Sequence, residues 1–365
     1  MRARSLVALA LALALAPALA ACGSSPGGGD AAVSQGPTTT GGGREPFVPL
    51  PPSTATPTTL GPPVDAPALP LNGCPPPPPR PGTTAPPPVF VPPRLVPEAE
   101  LPAALPPGPW TSDTAALAGK GMFMWKVAQT ENGDAAAIVN RAAHAGLRQI
   151  WVRVGDTDSR FYAKDFLDRI VPLAHRRGIS VIGWGFPYLF DPADDARWSV
   201  DALNWRGPRG ERLDGFSPDL ELQTEGVAVS DRRLAVYLGL VRQAAADRLV
   251  VATVYRPTDR LWTTYPYQTV AAYVDAFAPM VYWGCVEPGA AALQALERLQ
   301  TLKPVHPIGQ AYDMTDSGGR TSAPSEHETR RFLDVSRRKG ALGASFWSWQ
   351  HINAEQWDAM AAYGW

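Results

Sequence analysis

From residue 115 to Trp365, short apolar or aromatic runs alternate with amphipathic segments, and the alternation repeats eight times. Strands separated by a helix-length crossover pair in parallel, with the helices outside. The expected fold class is therefore α/β, a single (β/α)8 TIM barrel, although a seven-strand or open variant would carry the same local pattern. The strands are predicted at 120–127, 148–155, 179–186, 215–222, 248–255, 277–283, 305–312 and 342–349. Phe166, Ile170, Leu173 and Ala174 share one face of the second helix, as do Leu234, Leu238, Val241 and Ala245 of the fourth. Gly146, Gly178 and Gly340 stand just before the second, third and eighth strands, where a helix ends most easily in a left-handed residue. A chain of 365 residues with net charge −1 fits one barrel plus extra sequence better than two full domains, and the charge gives no lead toward nucleic acid.

The sequence before residue 115 has another character. Arg2 and Arg4 precede an apolar run, Leu6 to Leu15, that is too short to span a bilayer as a helix and has the charged-then-apolar order of a secretion signal. Leu19-Ala20-Ala21-Cys22-Gly23 resembles the lipobox of bacterial lipoproteins, which implies removal of residues 1–21, lipidation of Cys22 and attachment to a membrane surface. An ordinary secretory signal with a chance cysteine is the alternative. Either way the rest is expected in an oxidising space outside the cytoplasm. Of 40 prolines, 28 lie at or before Pro109. Residues 22–110 are accordingly expected to be a disordered Pro/Gly/Thr-rich linker, extended at Pro75 to Pro79 and Pro86 to Pro88, that carries the barrel away from the membrane. A Pro-rich ligand for a partner is the other use of such sequence. Cys74 in the linker and Cys285 in the barrel form an even remainder, which permits a disulfide, though both can equally stay unpaired.

Chemistry in such barrels sits where the strands end. The fourth predicted strand reads Asp214-Gly215-Phe216-Ser217-Pro218-Asp219-Leu220-Glu221-Leu222. Alternation sends Phe216, Pro218, Leu220 and Leu222 toward the helices and Ser217, Asp219 and Glu221 into the barrel. Two inward acids are costly to bury without a purpose. They are either a structural pair satisfied by a base such as Lys126 or Arg153, or a site for catalysis or binding.

Here the chain resembles glycoside hydrolase family 18, the chitinase-like barrels, whose fourth strand carries Asp-x-x-Asp-x-Asp-x-Glu. Asp214, Asp219 and Glu221 match; Ser217 stands in place of the second Asp. Met280-Val281-Tyr282-Trp283 is similar to that family's Met-x-Tyr-Asp, with Trp283 in place of the Asp, and Phe346-Trp347-Ser348-Trp349-Gln350 matches a strand end where the family commonly places a Trp under the sugar. The resemblance implies that Glu221 protonates the glycosidic oxygen, Asp219 orients a substrate N-acetyl group and Tyr282 assists it. Such substrate-assisted hydrolysis does not need an opposed pair of carboxylates. Ser217 removes a proton-sharing partner of Asp219, and Trp283 removes a substrate contact.

Aromatic residues crowd the same strand ends: Trp125, Trp184, Tyr188, Tyr255, Trp283, Tyr312, Trp347 and Trp349. They either stack on sugar rings or fill the barrel. Trp125, Tyr188, Trp283, Gln310, Tyr312, Asp313, Trp347, Trp349 and Gln350 are the expected substrate-binding set. Asp156, Asp158 and Glu287 also follow strand ends. The five histidines are scattered without the spacing of a transition-metal site, and no dinucleotide fingerprint, P-loop or Gly-x-Ser-x-Gly elbow occurs, so no metal and no cofactor are expected.

The sequence thus points to a surface-anchored glycoside hydrolase acting on a cell-wall or extracellular polysaccharide. Partners are expected to be a glycan and, through Cys22, a membrane. One rival is hydrolysis with Asp219, Asp313 or Glu287 as nucleophile or base. Another is a barrel that binds or tethers glycan without cleaving it.

Overall fold

The computed structural model describes residues 71, 73–74, 94–108, 110, 112–315 and 319–365. The expected leader, Cys22 and most of the expected linker lie outside these residues.

The elements are β1 (Gly119–Met124), α1 (Ala135–His144), β2 (Leu147–Asp156), β3 (Arg160–Phe161), α2 (Lys164–Arg176), β4 (Ser180–Phe186), α3 (Pro192–Asn204), β5 (Gly215–Pro218), α4 (Asp231–Ala245), β6 (Leu249–Tyr255), α5 (Asp259–Thr264), α6 (Tyr267–Ala271), β7 (Ala276–Val281), α7 (Pro288–Leu299), β8 (Ile308–Gln310), α8 (Glu326–Arg338), β9 (Gly343–Trp347) and α9 (Ala354–Ala362). Eight strands are parallel, and β1 pairs with both β2 and β9, closing the barrel. The short β3 turns back antiparallel on β2 at its C-terminal end.

All eight expected strands are present, and two are shorter than expected for a common reason. Proline has no N–H to give to a sheet ladder. Beyond Pro218 the fourth barrel strand continues only as a single bridge from Asp219 to Thr253, and β8 starts after Pro307, with Val305 bridging Phe277 on its own.

The helices begin where short polar side chains can cap them. Asp134 accepts from the amides of Ala136 and Ala137 at α1, and Asp191 does the same for Ala193 and Asp194 at α3. Ser325 with Glu328, and Asn353 with Gln356, form capping boxes at α8 and α9. Glu287, a rival nucleophile from the sequence, caps α7 through Gly289 and Ala290 and pairs with Arg331 at 2.9 Å. Both its oxygens are engaged in structure, so it is not available as a nucleophile.

Apolar side chains fill two layers. One, containing Val152, Phe216, Leu220, Leu234, Leu238 and Phe332, lies between strands and helices. The other, inside the barrel, contains Leu117, Phe123, Trp151, Ile182, Trp184, Val251, Ala278 and Ile308. Phe123 and Trp151 stack there at 4.6 Å.

The last part of the expected linker is laid against the barrel. Arg233, buried on α4, donates to the carbonyls of Leu189 (2.9 Å), Phe190 (3.1 Å) and Val96. The Val96 amide donates to Phe190 (2.9 Å), the Tyr273 hydroxyl donates to Leu105 (2.8 Å), and Leu101 is buried. The Val96 carbonyl on the Arg233 guanidinium, the Val96 amide bond and the Leu105 contact fasten residues 96–105, within the expected linker, to the barrel. Farther back, Cys74 is bonded to Cys285 just past β7, and the Thr321 amide donates to Gly73 at 2.9 Å. Among the described residues no helix is long and apolar enough to cross a membrane.

Candidate active site

The parity expected for the fourth strand is present. Phe216 and Leu220 lie in the helix-side layer, while Ser217 and Asp219 are buried on the other face. β5 and β6 are aligned with Gly215 opposite Leu249 and Phe216 opposite Val250, and the same offset sets Asp219 opposite Thr253. It therefore carries Glu221 to the level of Tyr255, at the end of β6. The Tyr265 hydroxyl donates to the Leu220 carbonyl (2.7 Å) and fixes the backbone beside Glu221.

Asp219 Oδ1 and Glu221 Oε2 are buried and have no hydrogen-bond partner, and neither acid has an ion-pair partner among the described residues. Burial raises the Asp219 carboxyl to about 7 against the opposing pull of Arg153. Burial, reinforced by the neighbouring Asp219 charge, raises Glu221 well above the usual carboxylate range. Two carboxyls this close, with little solvent, hold a proton at neutral pH. Of the two bases weighed from the sequence, Arg153 acts on Asp219 from β2 but makes its ion pair with Asp156 (3.0 Å), and the Lys126 ammonium sits 4.0 Å above the Trp125 ring. The pair is thus not neutralised as a structural salt bridge.

Ser217, standing where the resemblance expects an acid, exchanges a hydrogen bond with Thr253 (2.9 Å), so a neutral pair lies beneath Asp219. Asp214 sits at the start of β5, where it accepts from the Val181 amide (2.7 Å) and from His175 (2.8 Å). Its work is at the opposite end of the strand from the site.

Tyr282 and Tyr312 meet edge to face at 5.5 Å, and both feel the Glu221 charge. Burial raises both hydroxyls, so they stay protonated and able to donate. Trp347 meets Trp184 edge-on at 5.3 Å and tilts against Trp125 at 6.4 Å, forming an aromatic floor; the Trp184 indole is spent on the Met124 carbonyl (3.0 Å). Tyr188 stacks on Phe190 at 5.3 Å on the β4 side of the rim.

Four of the nine expected binding residues have other work. Trp283 is buried 5.4 Å from Phe332 in the helix-side layer, because the chain leaves strand geometry after Val281 and alternation no longer sets its direction. Trp349 is likewise turned outward, packing on Trp357 and donating to Glu131 (3.2 Å). Gln310 is fully buried, accepting from the Gly284 amide and donating to the Tyr312 carbonyl, both at 2.8 Å. Gln350 accepts from the Trp125 amide (3.2 Å) and donates to the Lys126 carbonyl (3.0 Å). These two amides are struts that fix the loops carrying Tyr312 and Trp125. Asp313 is exposed and accepts from the Thr315 amide (3.0 Å). Trp125, Tyr188, Tyr312 and Trp347 remain partly exposed at the rim.

Glu225 was not found from the sequence. It lies past the strand, on a 3-10 turn at Gln223–Glu225, and its charge acts on Asp219, Glu221 and Tyr255. Its only sequence signal is a position four residues beyond Glu221. Among the described residues no group of His, Cys, Asp and Glu could hold a metal ion.

Solved structures with this architecture include a chitinase from Chromobacterium violaceum (TM-score 0.51, 11% identity, 67% of this chain and 98% of that one). They also include the spore cortex-lytic enzyme of Bacillus cereus (0.51, 11%, 70% and 76%) and a candidate α-L-fucosidase from Bacteroides thetaiotaomicron (0.52, 11%, 69% and 92%). What the chain shares with them is the fold, a closed parallel (β/α)8 barrel. No protein-family model and no curated protein sequence matches the chain.

Proposed function

We propose that this chain is a glycoside hydrolase, held at a cell surface through Cys22, that cleaves a cell-wall or extracellular polysaccharide containing N-acetylated sugars. The observation that carries the reading is the Asp219–Glu221 pair, held with one buried, unpartnered oxygen on each acid and no ion-pair partner among the described residues, at the C-terminal mouth of the barrel beside the Tyr282 and Tyr312 rings and a tryptophan floor.

Glu221 holds its proton near neutral pH and is the general acid that delivers it to the leaving glycosidic oxygen. Asp219 orients the acetamido group of the substrate so that its carbonyl oxygen attacks the anomeric carbon, and Tyr282 donates to that carbonyl. The deprotonated Glu221 then takes a proton from the water that completes hydrolysis, which regenerates the acid. Trp347 and Trp125 offer ring faces to the apolar faces of sugars. That a chitinase and a spore cortex-lytic enzyme share the architecture is consistent with a substrate of N-acetylated sugars.

A glycan-binding barrel without turnover is the second reading, favoured by the neutral Ser217–Thr253 pair and by Trp283, which occupies the position of an expected acid and faces the helices. Assaying the whole chain and its Glu221→Gln variant on β-linked N-acetylglucosamine, muramyl and plain glucan oligomers separates the two. Hydrolysis that the substitution abolishes supports the enzyme; binding to a glycan with no hydrolysis by the parent overturns it in favour of the binder. Incorporation of labelled fatty acid that disappears in Cys22→Ser is the matching test for the anchor.

A further inference from the structure

The aromatic floor continues outward past the end of β4. In Trp184-Gly185-Phe186-Pro187-Tyr188-Leu189-Phe190 every second residue is aromatic, and Pro187 and Leu189 between them are buried. Phe186 meets Tyr188 edge to face at 5.0 Å and Phe190 stacks on Tyr188 at 5.3 Å, so two rings fix the orientation of a third that is only half-buried.

The backbone beneath these rings is fastened residue by residue. The Tyr188 amide donates to Thr157 Oγ1 (2.7 Å), just past β2. The Tyr188 carbonyl accepts from the Ala228 amide (2.8 Å), in the loop that follows Glu221 and turns at Gly226 (φ +82°). Leu189 is fully buried with φ +60°, a left-handed conformation that a residue other than glycine keeps only where its surroundings impose it. Here a carboxylate holds its amide, through Asp195 Oδ2 (2.8 Å), and a guanidinium holds its carbonyl, through Arg233 (2.9 Å). The Phe190 carbonyl accepts from Arg233 (3.1 Å) and from the Val96 amide (2.9 Å). Asp195 is itself fully buried, without an ion-pair partner among the described residues. Unlike the acids of the site it is met by neutral donors: the Leu189 amide, the Thr157 hydroxyl (2.7 Å) and the Trp198 indole (3.0 Å). Burying a carboxylate is costly, and this one is spent on the groups that hold Tyr188 and Leu189.

We propose that Tyr188 is a second sugar platform, for a unit of the glycan distant from the scissile bond, and that Thr157 and Asp195 are positioning residues that set it. The Thr157 hydroxyl is the link between them, accepting from the Tyr188 amide and donating to Asp195. An aromatic ring on a fixed backbone binds a sugar with little ordering cost, which is what this clamped loop supplies. The inference rests on the glycan reading of the barrel mouth and adds a preference to it. A glycan reaches Tyr188 only by extending from the Trp347 floor along the end of β4, so the chain should select long oligomers over short ones.

The test measures, by calorimetry, binding of β-linked N-acetylglucosamine oligomers from dimer to hexamer to the whole chain, in a Glu221→Gln background that leaves them uncut. Affinity in that background is expected to rise with length. Adding Tyr188→Ala should weaken the hexamer about tenfold and leave the dimer unchanged. Thr157→Val removes the hydroxyl and should reproduce the length-selective loss with Tyr188 still present, whereas Thr157→Ser keeps the oxygen and should restore hexamer affinity. A loop with a merely structural role would shift the melting curve and leave the dependence of affinity on length in place. A Tyr188→Ala loss that is equal at all lengths, or absent, overturns the platform. Unchanged hexamer affinity in Thr157→Val overturns the positioning role. Binding of no oligomer at any length overturns the glycan reading itself, and the platform with it.

Discussion

At the N-terminal end of the barrel, buried Lys120 donates to the carbonyls of Ala145 (3.1 Å), Tyr363 (2.6 Å) and Met360, and Arg242 meets Asp275 at 2.5 Å while Asp275 also accepts from the Val250 amide. His306 is held between the Leu117 carbonyl and Ser345, and burial lowers its proton affinity to about 4, so it is neutral there. At the C-terminal end, buried Asp219 and half-buried Glu221 have no ion-pair partner among the described residues, whereas Asp275, which also keeps one unpartnered oxygen, has Arg242. The same eight strands thus join one end where buried charge is answered by carbonyls or an opposite charge to one where it is not. Uncompensated burial costs stability, and a fold tolerates it where a ligand or a reaction uses it.

The contrast can be broken most forcefully at Glu221. Glu221→Gln should lower kcat/KM by about 10²–10⁴-fold without lowering the melting temperature, measured on the hydrolysed glycan. At the other end, Arg242→Ala strands Asp275 in the core and should cost about 3–5 kcal/mol in urea unfolding. An intermediate effect with a pH signature is expected for Asp219→Asn. The folded-state proton affinity of Asp219 is raised from the ordinary 3.8 to about 7, so folded and unfolded chains both hold that proton at low pH. As pH climbs from about 4 to 7 the unfolded chain releases it first, and the parent loses stability through that window. The variant should therefore be more stable than the parent by about 1–3 kcal/mol at pH 8, with the gain shrinking toward pH 4 in thermal melts. Equal melting at both pH values would erase the proposed difference between the two ends. The smallest effect sharpens the site's outline: Trp347→Ala should weaken glycan binding about tenfold by calorimetry, whereas Trp283→Ala should lower stability and leave affinity in place.

Much of the fold was legible because it depends on periodicity. Alternation from Gly215 to Glu221 predicted that Asp219 and Glu221 face inward, and that holds even where Pro218 interrupts the ladder. The same rule failed two residues past β7, where Trp283 is pulled toward Phe332 by an apolar pocket that only the packed helices create. Gln310 and Gln350, expected at the substrate, bond to neighbouring loops for a related reason. A polar side chain at a strand end can face a ligand or a neighbouring loop, and which it meets is a tertiary fact. Glu225 left almost no trace in the sequence, since its place depends on a turn at Gly226 and on the register of another strand. The docking of residues 96–105 is obscured by composition, because it depends on the Val96 and Leu105 carbonyls, backbone groups that a proline-rich sequence does not mark.

The bond between Cys74 and Cys285 gives the chain a second connection between its N-terminal part and its barrel. A single proteolytic cut anywhere between residues 75 and 93 therefore divides the polypeptide without shedding the barrel, since residue 74 stays joined to it through sulfur. Release by such a cut requires a reductant as well as a protease, so in an oxidising space the protein can be nicked and still remain one covalent molecule.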